Sequence, residues 1–184
     1  MSDELNIKDI IEKTKNFDQP YAPAIPEGIH EVELTSVERK LSAKGYDMIV
    51  IYVADAKGRT SRVTQMLELQ WIDGTIRLIK GLYTHNVPAE EKEDAKEKIN
   101  KVFDNVKSAK ELQDKCVDIL QKLINKGCIA WLRVERQNPE DQYPDRALTA
   151  YEPTYRWKTA ADEAKDIVDN SEAVTEDIDD IFAS

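Results

Sequence analysis

The chain has 184 residues, with 26 basic and 36 acidic side chains and a formal net charge of −10. That length suits one domain of ordinary size with appendages. It contains no run of about 20 apolar residues for a membrane helix, and its first residues lack a secretory signal pattern. Two cysteines are too few for a disulfide scaffold, and two histidines exclude a histidine-rich metal site. We therefore expect a soluble cytoplasmic protein without membrane association.

The acidic charge is concentrated at the carboxyl end. Residues 159–184 hold nine acids and a single base, for a net charge of −8, whereas residues 1–158 carry only −2. A body close to neutral can still present a basic face to a polyanion. We predict an N-terminal segment and lead-in at 1–28, a domain at 29–158 and an acidic tail at 159–184.

Hydrophobic alternation predicts three strands in the first half of the chain. Val32 and Leu34 alternate with polar residues, as in a half-buried strand. Residues 46–53 are nearly all apolar, which predicts a strand covered on both faces, and residues 59–69 alternate again. Before these strands, residues 3–15 have the spacing of a short helix, followed by a proline-containing lead-in.

The spacing then changes to that of helices, over a block at about 73–127. Asp73 is a plausible N-cap for the first helix, and Pro88 suits the first turn of the second. Ser108 and Glu111 form a capping box for the third helix, and Gly127 stands at the C′ position that favours glycine.

Two further strands follow the helical block, at 128–136 and 147–155. Five strands with a helix between the third and the fourth is the order of the OB-fold, a partly open barrel that binds oligonucleotides. We predict an α+β fold, mainly β, built as a five-stranded OB-fold barrel with an enlarged helical block. A single α+β sandwich would produce the same order of elements.

Catalytic motifs are absent from the sequence. It contains no glycine-rich phosphate loop, no Gly-x-Ser-x-Gly turn and no His-Glu-x-x-His pair. The acidic clusters lack the spacing of a calcium loop and are better explained as solvated charge. We predict a protein that is not an enzyme and that needs no cofactor or metal.

Aromatic and basic residues interleave on the predicted strands and turns, as expected for single-stranded nucleic acid, where rings stack on bases and cations follow phosphates. Core packing would explain Trp131 equally well, and paired surface charge would explain the arginines. The candidate nucleic-acid-binding residues are Arg39, Lys40, Lys44, Tyr46, Arg59, Arg62, Trp131, Arg133, Arg136, Tyr143, Arg146, Tyr151, Tyr155, Arg156 and Trp157.

The chain resembles phage single-stranded DNA-binding proteins of the OB-fold type. The resemblance is carried by residues 21–32 (YAPAIPEGIHEV), 42–50 (SAKGYDMIV), 76–82 (IRLIKGL) and the tail segment 176–182 (EDIDDIF). It implies sequence-independent binding of single strands exposed in phage DNA replication, recombination or repair, in the cytoplasm of the host cell.

The resemblance also implies two roles for the tail. In such proteins an acidic tail with a hydrophobic pair binds replication or recombination proteins and competes with DNA for the binding groove. The matching residues here are Asp177, Asp179, Asp180, Ile181 and Phe182. Ala183 and Ser184 follow Phe182, whereas the tails of this family often end on phenylalanine.

Two other classes of function fit the same sequence. One is an OB-like adaptor that binds proteins rather than DNA, and the other is an acidic DNA mimic that inhibits a nuclease or repair factor. The mimic is disfavoured because its charge should follow duplex-like rows, while most of the net charge here lies in residues 159–184. The apolar stripes of the helical block could also pack against a second subunit, so a homo-oligomer stays open.

Overall fold

The computed structural model of the chain describes residues 22–153. The predicted helix at 3–15 and the acidic tail lie outside these residues. A 3-10 turn at Ala89–Glu91 leads into the second helix. The helices and strands of the described part are β1 (Gly28–Leu41), β2 (Asp47–Ala54), β3 (Thr60–Met66), α1 (Ile72–His85), α2 (Lys92–Asp104), α3 (Ala109–Asn125), β4 (Ile129–Glu135) and β5 (Asp145–Thr149).

The five strands form one antiparallel sheet in the order β3-β2-β1-β4-β5. The α+β class, the five strands and the helical block between β3 and β4 are therefore confirmed. The expectation of a mainly β protein was wrong, because the three helices hold slightly more residues than the five strands.

The sheet is open between β3 and β5, and we call this gap the seam. Cα atoms of the two strands approach within 8 Å, yet no ladder joins them in the described residues. The lead-in takes part of the edge of β3 instead. Thr60 donates its N–H to the Pro23 carbonyl at 2.9 Å, and Ile25 donates to the Thr60 carbonyl at 3.1 Å. The sheet is thus not a closed barrel, and the predicted OB-fold barrel stays a prediction.

The hydrophobic core lies between one face of the sheet and the helices α1 and α3. Alternate residues of each strand face it, as the sequence period predicts. Val50 is buried on the opposite face, so β2 has apolar side chains covered on both sides. The largest contributors to the core include Leu34, Ile49, Ile51, Ile79, Leu82, Leu120 and Leu132.

The two cysteines belong to this core. Cys116 and Cys128 are both free and buried. Burial raises the pKa of each thiol to about 11, although Arg39 opposes the effect at Cys116. Both side chains therefore stay protonated at neutral pH and are poor nucleophiles.

The third strand is shorter than predicted because α1 and α3 take over its backbone carbonyls. Thr75 donates its hydroxyl to the Met66 carbonyl at 2.7 Å, and Gln113 donates its amide to the Leu67 carbonyl at 3.0 Å. The chain then turns, with Trp71 donating its N–H to the Glu68 carbonyl. Asp73 is not the N-cap as predicted: it lies inside the first turn, where its charge still favours the helix dipole.

The start and end of α3 follow the predicted signals. Ser108 accepts a hydrogen bond from the Glu111 N–H at 3.1 Å, while the Glu111 carboxylate accepts from the Lys107 N–H. Gly127 has a φ of +77°, the left-handed conformation that a C′ glycine adopts without strain. The last strand begins and ends earlier than predicted, at Asp145 and Thr149.

The side chain of Asn86 joins the end of α1 to the start of β4. It accepts from the Ile129 N–H at 2.8 Å and donates to the carbonyls of Ile129 and Leu82 at 2.9 and 2.8 Å. We expect Asn86→Ala to lower the free energy of unfolding by about 1–2 kcal/mol, measured by chemical denaturation. Asn105→Ala, at an exposed helix end, is the control, and an equal loss there would contradict the assignment.

The turn between β2 and β3 contains a buried carboxylate. Burial acts to raise the pKa of Asp55, but hydrogen bonds from Arg59 and from the Lys57 N–H lower it overall. This stabilisation is present above the unfolded-state pKa of about 3.9 and is lost as pH falls through the folded-state value. We expect Asp55→Asn to flatten the dependence of melting temperature on pH below about pH 4.

Asp73→Asn is the matched control for this measurement. Its carboxylate is exposed and lies 3.8 Å from Arg77. An Asp55→Asn variant that keeps the parent's steep loss of stability in acid would show that another carboxylate is responsible.

Candidate nucleic-acid interface

A groove of about 550 Å³ opens beside the seam. One wall comes from β1, β2 and β3, and the other from the β4–β5 loop and the start of β5. Within residues 22–153, the lining contains two tyrosines, two arginines and four serine or threonine side chains, and no carboxylate. Its residues are Thr35, Ser36, Tyr52, Val53, Thr60, Ser61, Arg62, Tyr143 and Arg146. We call it the seam groove.

Strand register sets the first wall. Ser36 is opposite Tyr52, and Tyr52 is opposite Arg62, so these three side chains lie in one row across the sheet. The row is on the face turned away from the core, because the neighbouring row of Val37, Ile51 and Val63 packs inward. The seam groove therefore begins on the solvent face of β1, β2 and β3.

The β4–β5 loop supplies Tyr143, whose side chain is largely exposed. Hydrogen bonds within the loop and to the start of β5 restrain its backbone. Gln137 donates its amide to the Asp145 carboxylate at 2.6 Å, and the Asn138 N–H donates to the Asp141 carboxylate at 2.9 Å. The loop that carries Tyr143 is thus restrained on both sides of this residue.

Two buried polar atoms in the lining have no hydrogen-bond partner among the described residues: Ser61 Oγ and Arg146 Nε. Register explains their burial, because Ser61 is opposite Val53 and Arg146 is opposite Val134, both core residues. An unsatisfied buried polar group costs about 1–3 kcal/mol. The pair marks a place where a ligand atom that accepts hydrogen bonds would be stabilised.

The Tyr52 side chain is held by the carboxylate of Glu38, which lies two positions beyond Ser36 on β1. Its hydroxyl donates to Glu38 Oε2 at 3.0 Å. The hydrogen bond uses the ring's polar end and leaves its face in the groove. Glu38 therefore places a carboxylate beside the positive lining on this face, although it is not among the lining residues.

Three more predicted residues lie at the β1–β2 turn end of the sheet. Lys40 is at the end of β1, and Lys44 and Tyr46 are in the β1–β2 turn. Tyr46 packs edge-on against Trp71, with ring centroids 5.3 Å apart. Tyr46 and Tyr52 are six positions apart in the chain, which corresponds to roughly 20 Å along an extended strand.

Arg39 and Arg59, also predicted as DNA contacts, make internal ion pairs. Arg39 binds Asp47 at 2.6 Å and Asp114 at 2.7 Å, which joins β1 and β2 to α3. These hydrogen bonds, with that of Asp47 the larger contribution, raise the pKa of the Arg39 guanidinium. Arg59 binds Asp55 at 2.6 Å within its turn. Both sets of ion pairs stabilise the sheet. They leave less of the positive charge of Arg39 and Arg59 available to bind a phosphate.

The predicted residues of β4, and Arg136 and Tyr151 that follow it in the chain, are not among the lining residues of the seam groove. Trp131 is half-buried opposite Glu31, and Arg133 lies 3.6 Å from Glu135. Arg136 binds Glu27 at 2.9 Å, and the ring of Tyr151 lies 5.4 Å from that of His85. Tyr155, Arg156 and Trp157 lie beyond the described residues.

The sequence predictions thus named three lining residues, Arg62, Tyr143 and Arg146, which the fold brings together. They missed Tyr52, because it lies in a strand read as buried on both faces. They also missed Ser61, whose burial depends on pairing with β2. Trp71 was overlooked because it stands alone in a turn, although its ring contact with Tyr46 extends the aromatic surface.

Two chemical properties of residues 22–153 are relevant to the choice of function. They contain no cluster of three or more His, Cys, Asp or Glu side chains that could hold a metal ion. Within the same residues, no helix combines the length and apolar character needed to cross a membrane.

Comparison with known proteins does not extend these observations. No protein-family model matches the chain, and no curated protein sequence matches it.

Proposed function

We propose that the chain is a sequence-independent single-stranded DNA-binding protein of a phage, acting in DNA replication, recombination or repair, and that the seam groove holds the strand. The observation that carries the proposal is the lining itself. Among the described residues it combines two tyrosines and two arginines with the unpaired Ser61 Oγ and Arg146 Nε, and it includes no carboxylate.

The topology supports an OB-like interpretation of the fold. An OB-fold barrel cut open between its third and fifth strands has the strand order β3-β2-β1-β4-β5, with a helical connection between β3 and β4. In that fold, ligands bind on the strand 2 and strand 3 face between the β1–β2 and β4–β5 loops. Tyr52, Arg62 and Tyr143 occupy those positions.

The lining chemistry suits one strand of nucleic acid. Arg146, Ser61 and Arg62 can donate hydrogen bonds to phosphate oxygens, and the Tyr52 and Tyr143 rings can stack on bases. From this groove the strand would follow the outer face of the sheet towards Lys40, Lys44 and the Tyr46–Trp71 pair. A duplex would bury its base faces internally and could not use the rings.

The direct test is titration of the full chain into a fluorescent oligothymidine, followed by anisotropy at two salt concentrations. Neutralisation of phosphates by Arg62, Arg146, Lys40 and Lys44 predicts a slope of log K against log salt of roughly −3. The same sequence as a duplex should bind much more weakly. Equal affinity for the duplex, or no binding at about 50 mM salt, would contradict the proposal.

The adaptor function is the second candidate, and one observation favours it. Large apolar side chains are exposed around the β1–β2 turn and the β3–α1 loop, where Leu41 is 66% and Leu69 is 58% exposed beside Tyr46 and Trp71. Such patches often bind proteins. If the oligothymidine titration fails, this patch is the place to look for a protein partner.

A further inference from the structure

The helical block carries a second groove that the proposed DNA site does not use. It has a volume of about 320 Å³ and lies between α1, α2 and α3. We call it the helical groove. Its lining residues are Tyr83, Ile99, Val102, Lys115, Asp118, Ile119, Lys122, Leu123 and Lys126. A smaller cavity of about 120 Å³ shares Tyr83, Leu123 and Lys126 with it and extends towards Val87.

The chemistry of the helical groove is an apolar floor with a basic rim. Ile99, Ile119 and Leu123 are almost fully buried at its base, while Val102 is partly exposed. Three lysines surround them, against one acid, Asp118. Lys122 contacts that acid at 2.9 Å, which leaves the rim with a net charge of +2 in the described residues.

The tail has the complementary pattern. Among the last residues of the chain, Ile181 and Phe182 form an apolar pair, preceded by Glu176, Asp177, Asp179 and Asp180. The tail is long enough to reach the helical groove. The 28 residues that follow Pro153, up to Ile181, can span up to roughly 90 Å when extended, against a diameter of about 30 Å for a small domain.

We infer that the helical groove binds the carboxyl-terminal segment 176–182 of the same chain. Ile181 and Phe182 pack on the apolar floor beside Val102 and Ile119, and the preceding carboxylates face Lys115, Lys122 and Lys126. The contact holds the acidic segment on the helices, away from the seam groove. It differs from docking on a partner protein and from direct competition with DNA, the two roles that the family resemblance suggests for the tail.

A nitroxide at the end of the full chain tests this contact. Ser184→Cys provides the attachment point, because Cys116 and Cys128 are buried, with thiol pKa values of about 11. In a ¹⁵N-labelled chain, we expect the nitroxide to broaden the amide signals of Val102, Ile119 and Lys122 strongly. Amides lining the seam groove should be broadened much less.

Two sets of substitutions separate a specific contact from random approach. Ile181→Ser with Phe182→Ser removes the apolar pair, and Lys115→Glu with Lys122→Glu reverses the rim. Each should return the broadening at Val102 to the level seen on the sheet. Lys96→Glu with Lys98→Glu, on exposed positions of α2 outside the lining, is the matched control and should change nothing.

Three results would overturn the inference. The first is broadening centred on the seam groove, which would place the tail in that groove instead. The second is strong broadening of the same amides when ¹⁵N-labelled chains without a nitroxide are mixed with unlabelled chains that carry it, which would make the occupant a second copy. The third is broadening at Val102 that survives both sets of substitutions. None of these results depends on whether the seam groove binds DNA.

Discussion

Arg146→Met is expected to weaken single-strand binding about 10- to 150-fold without destabilising the fold. The guanidinium would lose charge-assisted hydrogen bonds to phosphate, worth about 1.5–3 kcal/mol. In the free protein, however, Arg146 Nε is buried without a partner among residues 22–153, so an apolar side chain of similar length removes a cost. We expect a melting temperature equal to or above that of the parent, and a salt slope shallower by roughly 0.7.

Arg77→Gln is the control for this variant. Arg77 is 84% exposed on α1 and is not among the lining residues of the seam groove. Its contact with Asp73 is weak, at 3.8 Å. It should change neither affinity nor salt slope. If Arg146→Met instead lowers affinity and melting temperature together, Arg146 supports the seam and does not bind phosphate.

Tyr143→Ala should weaken single-strand binding by about 1–3 kcal/mol, the usual value for the loss of one stacked base. The ring is 71% exposed, so its removal should leave the melting temperature unchanged. The loss should be the same at low and high salt, because stacking neutralises no phosphate. Anisotropy titrations at two salt concentrations measure both properties.

Tyr143→Phe keeps the ring and removes only the hydroxyl, so it should bind nearly as well as the parent. A phenylalanine variant as weak as the alanine variant would show that the hydroxyl is the important group. Trp131→Ala provides a second comparison, since the sequence predicts a stacking role for Trp131 and the fold places it outside the seam groove. A larger loss at Trp131 than at Tyr143 would relocate the interface to β4.

The local elements were predictable because their signals are short in range. The Ser108 cap, the C′ glycine at 127 and the alternation in β4 each depend on neighbours within a few residues. The end of β3 was not predictable, because it is set by Thr75 and Gln113 from two helices. The open seam was not predictable either, because it depends on hydrogen bonds between the lead-in and Thr60, which are far apart in the sequence.

The residues of the candidate site were likewise only partly predictable from the sequence. Composition drew attention to Arg62, Tyr143 and Arg146, which carry charge or rings at strand ends. It could not distinguish them from Arg39 and Arg59, because the ion pairs of the latter two connect residues whose proximity only the fold reveals. Composition also could not reveal that Nε of Arg146 would be buried without a hydrogen-bond partner in the described part of the chain.

The lead-in has a protective effect on the sheet. An edge strand with free N–H and C=O groups is a template on which another chain can add a strand and start aggregation. By occupying both backbone groups of Thr60, residues 23–25 shorten the free edge of β3 from inside the same chain. The sheet can therefore stay open enough to admit a ligand at the seam without offering its full edge to another molecule.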